Sequence, residues 1–164
     1  MTHLQTPETS PLYPVERVVL GYVPNYVKLF ALRPEVYAGW RAMATAIKGG
    51  MDERRYELVT VAAARRLHSR YCELAHEKVL WEKFADQREP DELELSMMDF
   101  AGRVAADPTA IGASDVEALR ARGLSDEDVL QLVLAACARR FFSGVLAALG
   151  VEPDPELAVV NPCC

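Results

Sequence analysis

Cys72 and His76 stand four residues apart in the segment Ser69-Arg70-Tyr71-Cys72-Glu73-Leu74-Ala75-His76, and Glu57 lies fifteen residues before the cysteine. On a helix this spacing puts the thiol and the imidazole on one face, a turn apart, where they could share a proton. The same face continues through Ala75, Val79 and Leu80, whereas Glu73, Glu77, Lys78 and Glu82 fall on the solvent side. A free cysteine on an apolar face is most often a small core hydrophobe, and a single buried histidine is most often hydrogen-bonded packing. A carboxylate at Glu57 changes the balance, because the three side chains together supply a nucleophile, a proton shuttle and an orienting group for activated-thiol chemistry. Residue types alone leave chemistry and packing both open.

The pattern carries a resemblance. Glu57, Ser69, Cys72 and His76 occupy the positions of Glu-x11-Cys-x-x-Cys-x-x-x-His, and in that spacing the chain resembles the alkylhydroperoxidase D branch of the carboxymuconolactone decarboxylase superfamily. The stretch from Arg55 to Arg66, rich in Val and Ala around its glutamate, is similar to the family's helix leading into the site, and Asp115 to Gly150 is similar to its closing helical pair. The likeness covers roughly residues 20 to 150. It implies an all-α, alkylhydroperoxidase D-like helical bundle, a hydroperoxide as substrate, a thiol as reductant, no cofactor, no metal, and a homo-oligomer, either trimer or hexamer. Two positions depart from the pattern: Ser69 stands where the family has its first cysteine, and Tyr71 where a histidine often precedes the second.

Under that resemblance Cys72 attacks the hydroperoxide, His76 takes the thiol proton, Glu57 orients the imidazole, and Ser69 marks the missing sulfur. A sulfenic acid formed on Cys72 needs another thiol to restore it. Ser69 cannot serve, so a small thiol, a partner protein or the tail cysteines Cys163 and Cys164 must. The expected function is a thiol-dependent peroxidase-like oxidoreductase with a single active-site cysteine and a Glu/His proton relay. The alternatives are decarboxylase-type acid/base chemistry on a lactone, which needs no sulfur, and a non-enzymatic redox-sensing oligomer. A metal held by His68, Cys72 and His76 is a poorer reading, since His68 falls before the helix begins.

The whole chain frames that site. Its 164 residues, 51% hydrophobic, suffice for one well-packed domain, expected over residues 15–150 with an N-terminal arm at 1–14 and an irregular tail at 151–164. A net charge of −6 disfavours a nucleic-acid partner or an anionic membrane surface. The start is polar and proline-punctuated, without a secretory pattern, and the longest apolar run, Leu132 to Ala138, is too short to span a bilayer. Four cysteines in such a chain read as free thiols of a reducing compartment, the cytoplasm.

The positioning elements are helical nearly throughout. Pro34 opens a helix that ends at Gly49-Gly50; Asp52 caps one running to about Leu67; Ser69 caps the site helix, which continues to Phe84 and puts Cys72 in its first turn. Pro90-Asp91 opens a helix that stops at Asp107-Pro108. Ser114-x-x-Glu117 reads as a capping box for a short helix closed by Gly123, and Ser125-x-x-Asp128 starts the longest helix, ending at Gly150. Val18-Val19-Leu20 reads as a loop or helix end. Val129 to Leu149 is apolar nearly all round apart from Arg139-Arg140, so it needs burial on most sides, part of it by another subunit. Cys137 in that helix reads as packing.

Overall fold

A computed structural model describes residues 2–87 and 89–160, the side chains of 158–160 apart. Eight α-helices follow one another among these residues: α1 (Leu12–Leu20), α2 (Asn25–Phe30), α3 (Pro34–Gly49), α4 (Glu53–Arg66), α5 (Arg70–Lys83), α6 (Glu92–Ala106), α7 (Ala113–Arg120) and α8 (Asp126–Ala148). Short 3-10 turns occur at Pro108–Ala110 and Pro155–Val160, and no strand occurs among the described residues. The architecture is an all-α bundle.

Helix α4 is its centre, packed against α5, α6 and α8. Its sequence explains the position, since Leu58, Val59, Val61, Ala63 and Ala64 are buried around most of its circumference, and the small residues let neighbouring helices approach closely. Asp52 accepts from the Arg55 backbone N–H at 3.0 Å, the expected cap. After Leu67 the chain reverses through His68, a non-glycine residue in the left-handed region at φ 53°. The Ser69 N–H returns to the Ala64 carbonyl at 2.9 Å, closing the turn. Helices α4 and α5 therefore run back to back, bringing the middle of one against the middle of the other.

Several boundaries match the sequence reading, one is displaced, and one expected cap is not made. Ser125 and Asp128 form the expected reciprocal cap of α8, and Asp91 with Glu94 does the same for α6. Helix α7 instead begins at Ala113, with Asp115 accepting from the Gly112 N–H at 2.7 Å; Ser114 lies inside the helix and caps nothing. Ser69 occupies the N-cap of α5, yet its side chain makes no capping bond. Val18-Val19-Leu20 is the end of α1.

The segment after Gly150 is more ordered than an irregular tail. Val151, Asp154 and Leu157 are buried, the 3-10 turn packs on α5, and Asp154 ties Tyr71 of α5 to the Asn25 N–H of α2. At the other end the His3 N–H bonds the Leu149 carbonyl at 2.8 Å. Cys163 and Cys164 lie outside the described residues. By length and composition α8 could cross a bilayer, but half of that stretch is buried within the fold. Its outer face carries Leu130, Leu134, Cys137 and Phe141, all exposed, so Cys137 is a surface thiol and not core packing.

Candidate active site

The reversal at His68 sets Glu57 of α4 against His76 of α5. His76 Nδ1 meets Glu57 Oε2 at 2.5 Å, while the other carboxylate oxygen accepts from Lys48 Nζ of α3 at 2.9 Å. Lys48 also reaches Glu53 at 3.0 Å. Glu57 is 1% exposed. Burial pushes its carboxyl up, but the hydrogen bond and charge of His76 and the ammonium of Lys48 outweigh that, so it sits below the ordinary carboxylate value. His76 is shifted down: burial is the largest cause, the nearby Arg139 charge adds to it, and Glu57 opposes both. At neutral pH this gives an ionised Glu57 and a neutral His76. The Nδ1 proton then belongs to the bond with Glu57, leaving Nε2 with its lone pair free to take a proton.

Cys72 is a free thiol, 1% exposed, in the first turn of α5. Its hydrogen-bond partner is the hydroxyl of Ser143 on α8, which donates to Sγ at 3.2 Å. No hydrogen bond joins Cys72 directly to His76 among the described residues. Both side chains instead border one cavity of about 470 Å³, and Glu57 borders it too. The expected direct sharing of a proton is thus replaced by two groups on one chamber, each held from behind by a different partner. Ser69 is buried at the start of α5 and is not part of the cavity wall; its place beside the site is the i, i+3 relation to Cys72. His68 belongs to the turn, and no group of three potential ligands among the described residues is placed to hold a metal.

The other walls are aromatic. Trp40 stacks on Phe142 with centroids 4.8 Å apart, Phe30 backs Phe142 at 5.6 Å, and Tyr26 meets both Tyr71 and Phe142 edge-on. Helix α1 contributes Glu16, buried and bonded to Arg41 and to the Tyr37 hydroxyl. Helix α8 contributes Arg139, one turn before Ser143. Lys48, Ser143 and Arg139 were not among the expected site residues; for Arg139 the sequence held a signal, a charge interrupting an otherwise apolar helix.

The profile of the carboxymuconolactone decarboxylase family matches residues 34–115, half of the chain, and the protein belongs to that family. No curated protein matches in sequence. Among solved structures, the alkylhydroperoxidase AhpD core of a peroxidase-related protein from Ralstonia eutropha JMP134 superposes with a TM-score of 0.82 at 22% identity, covering 95% of this chain and 94% of the other. A peroxidase-related protein from Silicibacter sp. TM1040 gives the same TM-score and identity over 96% and 94%. The debrominase Bmp8, in complex with 2,3,4-tribromopyrrole, gives 0.76 at 16% identity over 97% and 94%. The fold is that of the alkylhydroperoxidase D-like branch.

Proposed function

We propose that the protein is a thiol-dependent peroxidase-like oxidoreductase in which Cys72 reduces hydroperoxides. The observation that carries this reading is a free cysteine at a helix start, sharing one cavity with a neutral imidazole whose tautomer an ionised glutamate fixes. Family membership and the peroxidase-related neighbours support an antioxidant reading of the same kind.

The chemistry follows from the groups in place. His76 Nε2 removes the Cys72 proton through water in the cavity they share, and Glu57 with Lys48 behind it stabilises the imidazolium that forms. The thiolate attacks the terminal oxygen of the hydroperoxide. The O–O bond breaks, the alkoxide takes the proton from His76 and leaves as an alcohol, and Cys72 becomes a sulfenic acid. The Ser143 hydroxyl stabilises negative charge on sulfur before the attack. One external thiol then displaces water to give a mixed disulfide, and a second releases Cys72 with an external disulfide as product. Because residue 69 is serine, no neighbouring sulfur at that position closes the cycle. The working form is a homo-oligomer, trimer or hexamer, a reading favoured by the apolar outer faces of α1 and α8.

Steady-state consumption of cumene hydroperoxide with a monothiol reductant tests the reading. Wild type turns over, and Cys72→Ser does not. Retention of activity by the serine variant would remove sulfur from the chemistry and favour acid/base catalysis by His76 and Glu57. Stoichiometric oxidation of Cys72 without turnover would point instead to redox sensing.

A further inference from the structure

Arg139 is buried inside the bundle with only 5% of its surface exposed, yet it has no carboxylate partner among the described residues, and its Nε makes no hydrogen bond. Its guanidinium carbon lies 5.9 Å from the Trp40 ring centroid and 5.5 Å from that of Phe142. Those faces offset part of the cost of burying the charge, but aromatic rings do not satisfy the in-plane N–H donors of a guanidinium. A buried donor without an acceptor is expensive to keep, and native folds retain few of them without a reason.

The charges around the cavity point to the reason. Glu57 is taken by Lys48 and His76, and Glu16 by Arg41 and Tyr37. Three cations, Lys48, Arg41 and Arg139, thus face two carboxylates, both already paired, and His76 is neutral. The surplus charge is Arg139. It sits on the same face of α8 as Ser143, one turn away, so the group it would hold lies beside the Cys72 sulfur that Ser143 contacts.

We propose that Arg139 is the anion anchor of this cavity, receiving the carboxylate of a small organic acid whose apolar body packs along the aromatic wall next to Cys72. A planar, bidentate guanidinium suits a carboxylate better than a point charge would. The assignment rests on the peroxidase reading only for what the acid does once bound: it is either the hydroperoxide substrate or the thiol reductant.

Binding and turnover separate these points. Calorimetric titration with benzoate and with benzyl alcohol compares two similar bodies with and without the anion. Wild type should bind benzoate more tightly by about tenfold or more, the scale of a charged hydrogen-bonded contact, and Arg139→Gln should bring the two affinities together. Equal affinities in the wild type, or a benzoate preference that survives in Arg139→Gln, would overturn the proposal. If the glutamine variant does not fold, Arg139→Lys should narrow the preference, and an undiminished preference there would also count against it.

Rates then identify the source. The ratio of turnover with a ring-carboxylated cumene hydroperoxide to that with cumene hydroperoxide, and the ratio with mercaptopropionate to that with mercaptoethanol, are each measured in wild type and Arg139→Gln. A fall of the first ratio makes the substrate the acid; a fall of the second makes it the reductant. Two unchanged ratios in a catalytically active protein would contradict the assignment. A protein that binds benzoate through Arg139 but shows no turnover would retain the anion site and lose the peroxidase reading.

Discussion

The bond from His76 to Glu57 decides which nitrogen is left for chemistry, and that makes the relay testable one side chain at a time. His76→Ala should lower peroxide turnover by about 10²-fold, the usual contribution of a positioned base. Activity needs His76 neutral, so the rate should fall on the acid side, with a midpoint below the ordinary histidine value of 6.5. Glu57 pushes His76 up and Arg139 pushes it down. In pH–rate profiles, Glu57→Gln should therefore move that acid limb to still lower pH, and Arg139→Gln should move it to higher pH. Opposite movement in either variant would show that the charge coupling is misassigned. Cys72 and His76 were legible because they share one helix face, and Glu57 through the family spacing; the structure sets it on the adjacent helix, across a short turn, against His76. Lys48 and Ser143 carried no such signal: each reaches the site only because α3 and α8 pack where they do.

Among the elements, the reversal between α4 and α5 does most to build the site, and its geometry can be probed with sulfur. Ser69 and Cys72 are related by i, i+3 at the start of α5, and both are buried. Peroxide treatment of Ser69→Cys should join residues 69 and 72 in a disulfide, found by peptide mass spectrometry, and should raise turnover with a dithiol reductant. An engineered cysteine that stays reduced beside a reactive Cys72 would show that the turn cannot bring the two sulfurs together. A second junction is held by charge. Arg54 pairs with Glu94 in the interior and donates to the carbonyls of Gln87 and Glu89, pinning the connection between α5 and α6. Glu94→Gln leaves that guanidinium without a counter-charge and should cost about 3 kcal/mol, read from denaturant melts. Helices with strong start signals, such as Ser125/Asp128 and Pro90-Asp91, were readable in the sequence. Helix α2 was not: its six residues have little local signal and are held by the aromatic packing of Tyr26 and Phe30. The ordered segment around Asp154 was hidden because its bonds to Tyr71 and Asn25 join residues 83 and 129 positions apart.

At the scale of the molecule, the proposed oligomer rests on apolar outer surfaces. Val15, Val18, Val19 and Leu20 are exposed on α1, Val18 at 87%, and α8 shows Leu130, Leu134 and Phe141 outward. The sequence indicated that α8 needed cover; the structure indicates which residues face outward. Light scattering should give a mass several times 18.2 kDa, and Val18→Glu or Leu134→Glu should reduce it. A wild-type monomer at micromolar concentration would contradict the assembly. The buried pair of His76 and Glu57 also links stability to pH. Unfolded His76 accepts a proton near its ordinary 6.5 while the folded side chain resists, so this group lowers stability as pH falls below 6.5. Glu57, depressed in the fold, contributes stability that is present above its ordinary 4.5 and is lost as pH falls through its folded value. Asp154, raised by burial, works in the opposite direction above its ordinary 3.8. Between about pH 7 and pH 5 the melting temperature should drop, and the drop should be smaller in His76→Gln, which removes the first of these groups.

If the Cys72 sulfur is what the peroxide meets, a single-turnover trap will catch it there. Wild-type protein is mixed with one equivalent of cumene hydroperoxide in the presence of dimedone, and the labelled peptides are mapped by mass spectrometry. Cys137 is the internal control: it lies on the outer face of α8 and does not line the cavity that His76 and Glu57 border. The label should fall on Cys72, in step with the alcohol formed, while Cys137 stays unmodified. A reduced Cys72 beside a labelled Cys137 would mean that exposure and not the site governs oxidation, and the peroxidase account would fail.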